Sequence, residues 1–257
     1  MKEIHKRGEY FLIGRSGNPT LKESTFERHE QFSGMNAMTI EGTVNKAFIT
    51  LVILLGSAFS TWMLYFDGYN VIPMAIGGAI IGFILALITS FVPKASPYLV
   101  PIYAIAEGMF LGAISAQYES LLNGITLQAA LLTMGVFLAL LIAYKTKLIK
   151  ATENFKLGVI AATGGIALVY LLSFILGMFG ITMPYLHDSS LIGIGISVVI
   201  VIVAALNLVL DFDFIERGAE QGAPKYMEWY GAFGLMVTLV WLYLEMVRLL
   251  AKIASRD

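Results

Sequence analysis

The sequence predicts an all-α integral membrane protein with seven transmembrane helices. Hydrophobic residues make up 58 % of the 257 residues and charged residues only 14 %, against about 25 % charged residues in a typical soluble domain. Nearly all charges lie before Lys46 or in short islands between apolar runs. Each run approaches or exceeds the roughly 20 residues that cross a bilayer as a helix, so lipid replaces much of the usual core.

Turn-forming residues divide the apolar part of the chain into seven spans. The predicted spans are 44–66, 70–92, 97–118, 126–148, 156–179, 190–212 and 228–251. Between spans two and three, Ser96 is expected as the N-cap and Pro97 as the first helical residue. Small residues at helical spacing, such as Gly108 and Gly112, predict close packing between helices.

The charges define a short arm and an orientation. Residues 1–43 carry both signs and several turn formers, which predicts a partly disordered cytoplasmic arm ahead of a membrane domain at 44–253. With seven spans, the N-terminal segment lies on the same side of the membrane as the connections after spans two, four and six. These regions hold all but three of the 17 lysines and arginines, and the other three lie at the C-terminus. Basic residues concentrate in the cytoplasm, so the N-terminus is predicted inside and the C-terminus outside.

The sequence lacks the motifs of most enzyme classes. There are no cysteines, which excludes thiolate metal sites and cysteine nucleophiles. The three histidines are isolated, and neither a nucleophile elbow nor a phosphate-binding glycine loop occurs. No basic face is present for a nucleic acid. We therefore expect a protein that is not an enzyme and that has no resident cofactor.

The acidic end of span six is the most informative stretch. It reads Asn207-Leu-Val-Leu-Asp211-Phe-Asp213-Phe-Ile-Glu216 and follows a long apolar run. Asp211 lies one turn beyond Asn207 on the same helical face, which predicts a polar stripe that points into the bundle. Asp213 is about 200° around the helix from Asp211 and is expected to face loop or headgroups. Glu216 is expected in the loop that follows.

Two further positions stand out inside the membrane. Glu107 lies near the middle of span three among apolar neighbours, where an ionised carboxylate costs several kcal/mol unless it is paired or hydrated. Thr238 is the clearest polar position midway along span seven. Near the outer end of that span, Glu245 and Arg248 are three residues apart and are expected to form a structural ion pair.

At these residues the chain resembles the Bax inhibitor-1 / transmembrane Bax inhibitor motif family, in its bacterial branch. The similarity covers about residues 40–252. It includes Glu-Gly-Met-Phe-Leu-Gly at 107–112, the ending Asp-x-x-x-Ile-Glu at 211–216, and the last span around Thr238. The resemblance implies seven helices with the last one central, in the inner membrane of a bacterium, and a pH-sensitive calcium leak as the activity.

The resemblance also implies a gate. In the family's scheme two aspartates on spans six and seven share a proton, and a basic residue at the end of span two engages the first. Asp211 matches the first aspartate, while Thr238 stands at the second position and cannot ionise. Lys94 stands at the basic position. The proton-sharing scheme therefore cannot operate here as it does in the family, and Asp213 and Glu107 are the other acids that could contribute.

The leading hypothesis is a calcium leak that is gated by protonation near Asp211. Asp211, Asp213 and Glu216, with backbone carbonyls, are expected to attract calcium weakly and transiently, since calcium prefers several oxygen ligands. The first alternative is a non-transporting regulator that binds another membrane protein, such as a quality-control protease. The second is a proton-coupled transporter that uses Glu107.

Overall fold

The computed structural model describes residues 37–181, 183 and 188–256. In this part of the chain seven helices are long and apolar enough to cross a membrane, which confirms the predicted fold class. The predicted arm lies mostly outside the described residues. The helices are α1 Ile40–Phe66, α2 Ile72–Phe91, α3 Ser96–Leu121, α4 Ile125–Lys145, α5 Glu153–Met178, α6 Leu191–Glu220 and α7 Met227–Ala254.

Helix α7 lies at the centre of the bundle, as expected. In its most apolar stretch 61 % of the residues are buried, and it packs against α1, α3, α4 and α6. Helix α5 is the opposite case, because only 6 % of its apolar stretch is buried and it packs mainly against α6. The bundle therefore has a tight centre and one helix at its edge whose surface is left largely to lipid.

Glycines bring α3 into backbone contact with its neighbours. A Cβ atom on Gly112 would lie 2.2 Å from the carbonyl oxygen of Ala58 in α1, and one on Gly78 of α2 would lie 2.4 Å from that of Ala106. Across the α1–α3 contact, the Ser57 hydroxyl donates to the Ile105 carbonyl at 2.8 Å. The predicted role of the paired glycines in close packing is therefore confirmed for α1, α2 and α3.

Two boundaries differ from the sequence prediction. Ala95, at the end of a short 3-10 turn over Pro93–Ala95, precedes α3, and Ser96 is already helical. The Ser96 hydroxyl instead donates to the Tyr226 carbonyl at 3.0 Å, which ties the α2–α3 turn to the α6–α7 connection. Helix α6 continues to Glu220 rather than ending near 212, so Glu216 is helical and the prediction of a loop there was wrong.

Candidate functional site

Asp211 lies inside the protein, on the buried face of α6. Its side chain is 0 % exposed, and Asn207, one turn earlier on α6, is 2 % exposed. Both residues therefore lie on the buried face of α6, and the polar stripe predicted from their spacing is present. An acidic side chain with this degree of burial at the end of an apolar helix is the central feature of the site.

Asn207 connects the stripe to α5. Its amide nitrogen donates to the Thr163 hydroxyl oxygen at 2.8 Å and to the Val203 carbonyl at 2.8 Å. Its Oδ1 is buried and accepts no hydrogen bond from the described residues. The amide therefore fixes α5 against α6 one turn from Asp211.

Thr238 is the predicted gate residue on α7. It is 3 % exposed and lies midway along the central helix. A threonine cannot ionise, so it contributes a hydroxyl and a methyl group to the core but no charge. Of the four residues predicted to form the gate, Asp211 is the one ionisable group that is completely buried, because Asp213 is 13 % exposed and Lys94 is exposed.

Asp213 belongs to a separate charge cluster, formed with Lys156, Arg217 and Glu153. Its Oδ2 lies 2.8 Å from Nζ of Lys156 and 3.0 Å from Nε of Arg217. Lys156 also reaches Oε1 of Glu153 at 3.3 Å, and its own side chain is only 1 % exposed. Asp213 therefore makes a partly buried ionic contact between α5 and α6. The prediction that it faces loop or headgroups was wrong.

The three acids predicted to attract calcium lie in different surroundings on α6. Glu216 is exposed on α6 and accepts a hydrogen bond from the Tyr144 hydroxyl of α4. Asp213 is already neutralised by two cations, while Asp211 is buried. Among the described residues no group of three histidines, aspartates or glutamates is placed to hold a metal ion.

Two other predicted residues lie away from this end of α6. Lys94 is exposed in the 3-10 turn, and no ion pair joins it to a described carboxylate. Glu107 is half-buried on α3 and faces α2, where a Cβ atom on Gly82 would lie 2.8 Å from its Oε2. No hydrogen bond joins the Glu107 carboxylate to another residue in the described ranges. The bare backbone of Gly82 thus makes room for this intramembrane acid.

The chain segment before α1 is fastened to the same end of the bundle. Ala37 pairs with Pro224, and the Met38 amide donates to the Ala223 carbonyl at 2.7 Å. The amide and hydroxyl of Thr39 both donate to Oε1 of Glu228, at 3.1 and 2.9 Å. Residues 37–39, named the N-terminal anchor below, therefore join the α6–α7 connection close to the site.

Glu228 is the main acceptor of the N-terminal anchor. It is 1 % exposed, and its Oε1 also lies 2.7 Å from Nζ of Lys225. We expect Glu228→Ala to raise the hydrogen-exchange rates of the Met38 and Thr39 amides by about tenfold or more, the effect of losing a buried charged acceptor. Hydrogen exchange in detergent micelles measures this directly.

The matched control for the anchor is Glu228→Gln, which keeps an acceptor oxygen and should retain most of the protection. Equal exchange at Met38 in the wild type and in Glu228→Ala would contradict this role of the carboxylate.

A second polar cluster lies at the other end of α7. Arg248 Nη1 contacts Oε1 of Glu245 at 2.8 Å and the Tyr170 hydroxyl at 2.5 Å, and this confirms the predicted ion pair. Nζ of Lys252 donates to the Ser197 hydroxyl at 2.9 Å and to the Gly193 carbonyl at 3.1 Å. These contacts fasten α5 and α6 to the central helix at this end.

Sequence reasoning missed two buried cations, Lys156 and Lys252. Both were counted as ordinary basic residues at the ends of spans. The available signal was position on the helix: Lys156 lies three residues after Glu153, and Lys252 lies seven residues, about two turns, after Glu245. Their interhelical partners, Asp213 and Ser197, depend on how the helices pack.

The comparison with known protein families agrees with the architecture and with the resemblance drawn from the sequence. The chain matches the family described as Bax inhibitor 1 like over residues 18–255, which is nearly its whole length. No curated protein and no solved structure gives a significant match. With seven apolar helices, of which α7 is the most buried, and a family match over this range, the chain belongs to the Bax inhibitor 1 like family of integral membrane proteins.

Proposed function

We propose that this protein is a cation leak channel, with calcium as the first ion to test, and that protonation of Asp211 gates it. The observation that carries the proposal is the complete burial of Asp211 at the end of the apolar part of α6. The activity is the one that the family resemblance implies. We place the chain in a bacterial inner membrane with its N-terminus, and hence the Asp211 end of the bundle, in the cytoplasm.

The gating step follows from the cost of burying charge. An ionised carboxylate inside a membrane protein costs several kcal/mol unless it is paired or hydrated, and intramembrane acids mark ion pathways. Taking up a proton turns Asp211 into a neutral acid that packs without this cost. Losing the proton favours a state in which water or a cation reaches the carboxylate, and that state requires the helices that bury Asp211 to move apart.

The charged and polar groups around this end of α6 determine which of them can act as the pH sensor. Helix α5 contributes Lys156, and α6 itself contributes Asp213 and Arg217, which already pair with one another. Helix α4 contributes Tyr144, whose hydroxyl is bound to Glu216. On α7, the position of the family's second aspartate is occupied by Thr238, which does not titrate. A single carboxylate, rather than a proton-sharing pair, is therefore the sensor we propose.

A calcium-flux assay in liposomes tests the proposal. The wild type should show calcium flux that changes between pH 5 and 8, and Asp211→Asn should remove most of that pH dependence because an amide cannot take up the proton. Glu220→Gln is the matched control, since Glu220 is an exposed acid at the end of the same helix. Flux equal to that of empty liposomes at every pH would refute the proposal.

The second candidate is a non-transporting regulator that binds another membrane protein, such as a quality-control protease. The N-terminal anchor favours it, because residues 37–39 are held at the end of the bundle that includes Asp211. Crosslinking should then recover one partner with the full chain and lose it when residues 1–36 are deleted. Recovery that is unchanged by the deletion, or calcium flux that Asp211→Asn alters, would favour the channel.

A further inference from the structure

The N-terminal anchor lies against the part of α6 that follows Asp211. Its Met38 side chain is 2 % exposed. This methionine belongs to a buried apolar cluster with Phe214, Ile215, Ala223, Met227 and Tyr230. The first two of these partners are on α6, the last two are on α7, and Ala223 is in the connection between the helices. The anchor therefore packs across the ends of both helices at once.

Gly231 of α7 marks the point where the anchor, α1 and α6 meet. A Cβ atom on this glycine would lie 3.1 Å from Cγ2 of Thr43, 3.2 Å from Cγ1 of Ile215 and 3.6 Å from Cε of Met38. Ile215 comes one turn after Asp211 on the same face of α6. Towards the end of the helix, the face that carries Asp211 is therefore continued by Ile215, which packs with Met38.

Polar contacts hold the anchor in this position. The Met38 amide donates to the Ala223 carbonyl at 2.7 Å. Thr39 donates twice to Oε1 of Glu228, from its amide at 3.1 Å and from its hydroxyl at 2.9 Å. Nζ of Lys225 lies 2.7 Å from the same oxygen. Hydrogen bonds to an ionised group are about twice as strong as neutral ones, so the Glu228 carboxylate is the main polar attachment of the anchor.

We infer that the N-terminal anchor is a lid that closes the aqueous route to Asp211 and that is shut in this structure. With the anchor in place, Asp211 is 0 % exposed. Release of Met38 from the cluster uncovers Ile215 and opens a path along the face of α6 that carries Asp211. The consequence for ion flow rests on the proposed channel function, whereas the closure of this route does not.

Gly42 in α1 allows the lid to be loosened without a change in the lid itself. A Cβ atom on Gly42 would lie 1.9 Å from Oε1 and 2.3 Å from Cδ of Glu228, so Gly42→Ala pushes the carboxylate away from Thr39. The matched control is Gly56→Ala on the same helix, where a Cβ atom would meet nothing within 4 Å. Alanine is a better helix former than glycine, so both variants should fold.

The first experiment measures the access of water to position 211. The chain has no cysteines, so Asp211→Cys introduces a single thiol, and every variant in the comparison carries it. A charged methanethiosulfonate reagent should modify this thiol about tenfold faster in Gly42→Ala than in Gly56→Ala, the effect of losing a hydrogen bond to a buried charged group. Equal rates in the two variants would overturn the proposal.

The second experiment locks the lid in a protein that keeps Asp211. Ala37 and Pro224 form an antiparallel bridge, and the Cα atoms of such a pair lie about 4.5 to 5.5 Å apart, which suits a disulfide. Oxidation of the double variant Ala37→Cys, Pro224→Cys should abolish pH-dependent calcium flux in liposomes, and reduction with dithiothreitol should restore it. The wild type, treated with the same oxidant and reductant, is the control.

The two experiments separate a failure of the lid from a failure of the channel. If the double variant shows the same pH-dependent flux when oxidised and when reduced, the lid is refuted while the channel stands. If Gly42→Ala speeds the modification of position 211 but no variant shows flux at any pH, the lid is supported and the channel is refuted.

Discussion

Replacing Lys156 with methionine is expected to lower the free energy of unfolding by about 3 kcal/mol, in the range measured when one partner of a buried ion pair is removed. The Lys156 side chain is 1 % exposed, and it lies 2.8 Å from Asp213 and 3.3 Å from Glu153. Its loss leaves Asp213 with Arg217 alone and removes the ionic contact between α5 and α6.

Unfolding in mixed micelles by a denaturing detergent measures this effect, and the chain offers two comparisons. Lys94→Met removes the same charge from an exposed turn and should change stability by less than about 0.5 kcal/mol. Adding Asp213→Asn to Lys156→Met should recover part of the loss, because the carboxylate that was left with one cation is then neutral. If Lys156→Met behaved like Lys94→Met, the charge cluster would have no structural role.

Gly112→Ala is expected to destabilise the protein by about 3 kcal/mol, the upper range for overpacking a well-packed contact. The new Cβ atom would lie 2.2 Å from the Ala58 carbonyl oxygen and 2.9 Å from its Cα atom. These are backbone atoms, which cannot turn aside as a flexible side chain would. Helices α1 and α3 must therefore move apart along their whole contact.

The matched control for this change is Gly135→Ala in α4, where a Cβ atom would meet nothing within 4 Å. That variant should gain up to about 1 kcal/mol, because alanine is the better helix former. Thermal unfolding of the two variants in the same detergent compares them. A similar transition temperature for both would show that the α1–α3 contact opens at little cost.

The membrane spans were predictable because they follow from hydrophobicity alone. The second predicted span, 70–92, corresponds to Ile72–Phe91 in the structure. The end of span six was misplaced because Asp211 and Asp213 were taken to mark the end of the helix. Charge marks where hydrocarbon ends, but a helix ends where its backbone changes conformation, here after Glu220 and close to Gly222, whose φ is 66°.

Only part of the candidate site could be predicted from the sequence. The stripe of Asn207 and Asp211 follows from helical periodicity, so it was predicted correctly. The pairing of Asp213 with Lys156 was not, since two residues 57 positions apart meet only through the packing of α5 on α6. The Glu245–Arg248 pair was predicted because both residues share one helix, while Tyr170, which binds both of them, comes from another.

The length of α6 makes the acidic end sensitive to bilayer thickness. Its 30 residues form a rod of about 45 Å, while the hydrocarbon core measures about 30 Å. The apolar part from Leu191 to Leu210 fits that core, Asp211 lies at its boundary, and Phe212–Glu220 continue as the same rigid rod into the headgroup region. A helix adapts to a thinner membrane by tilting, so a change in lipid chain length would displace the charge cluster relative to α5 and α7.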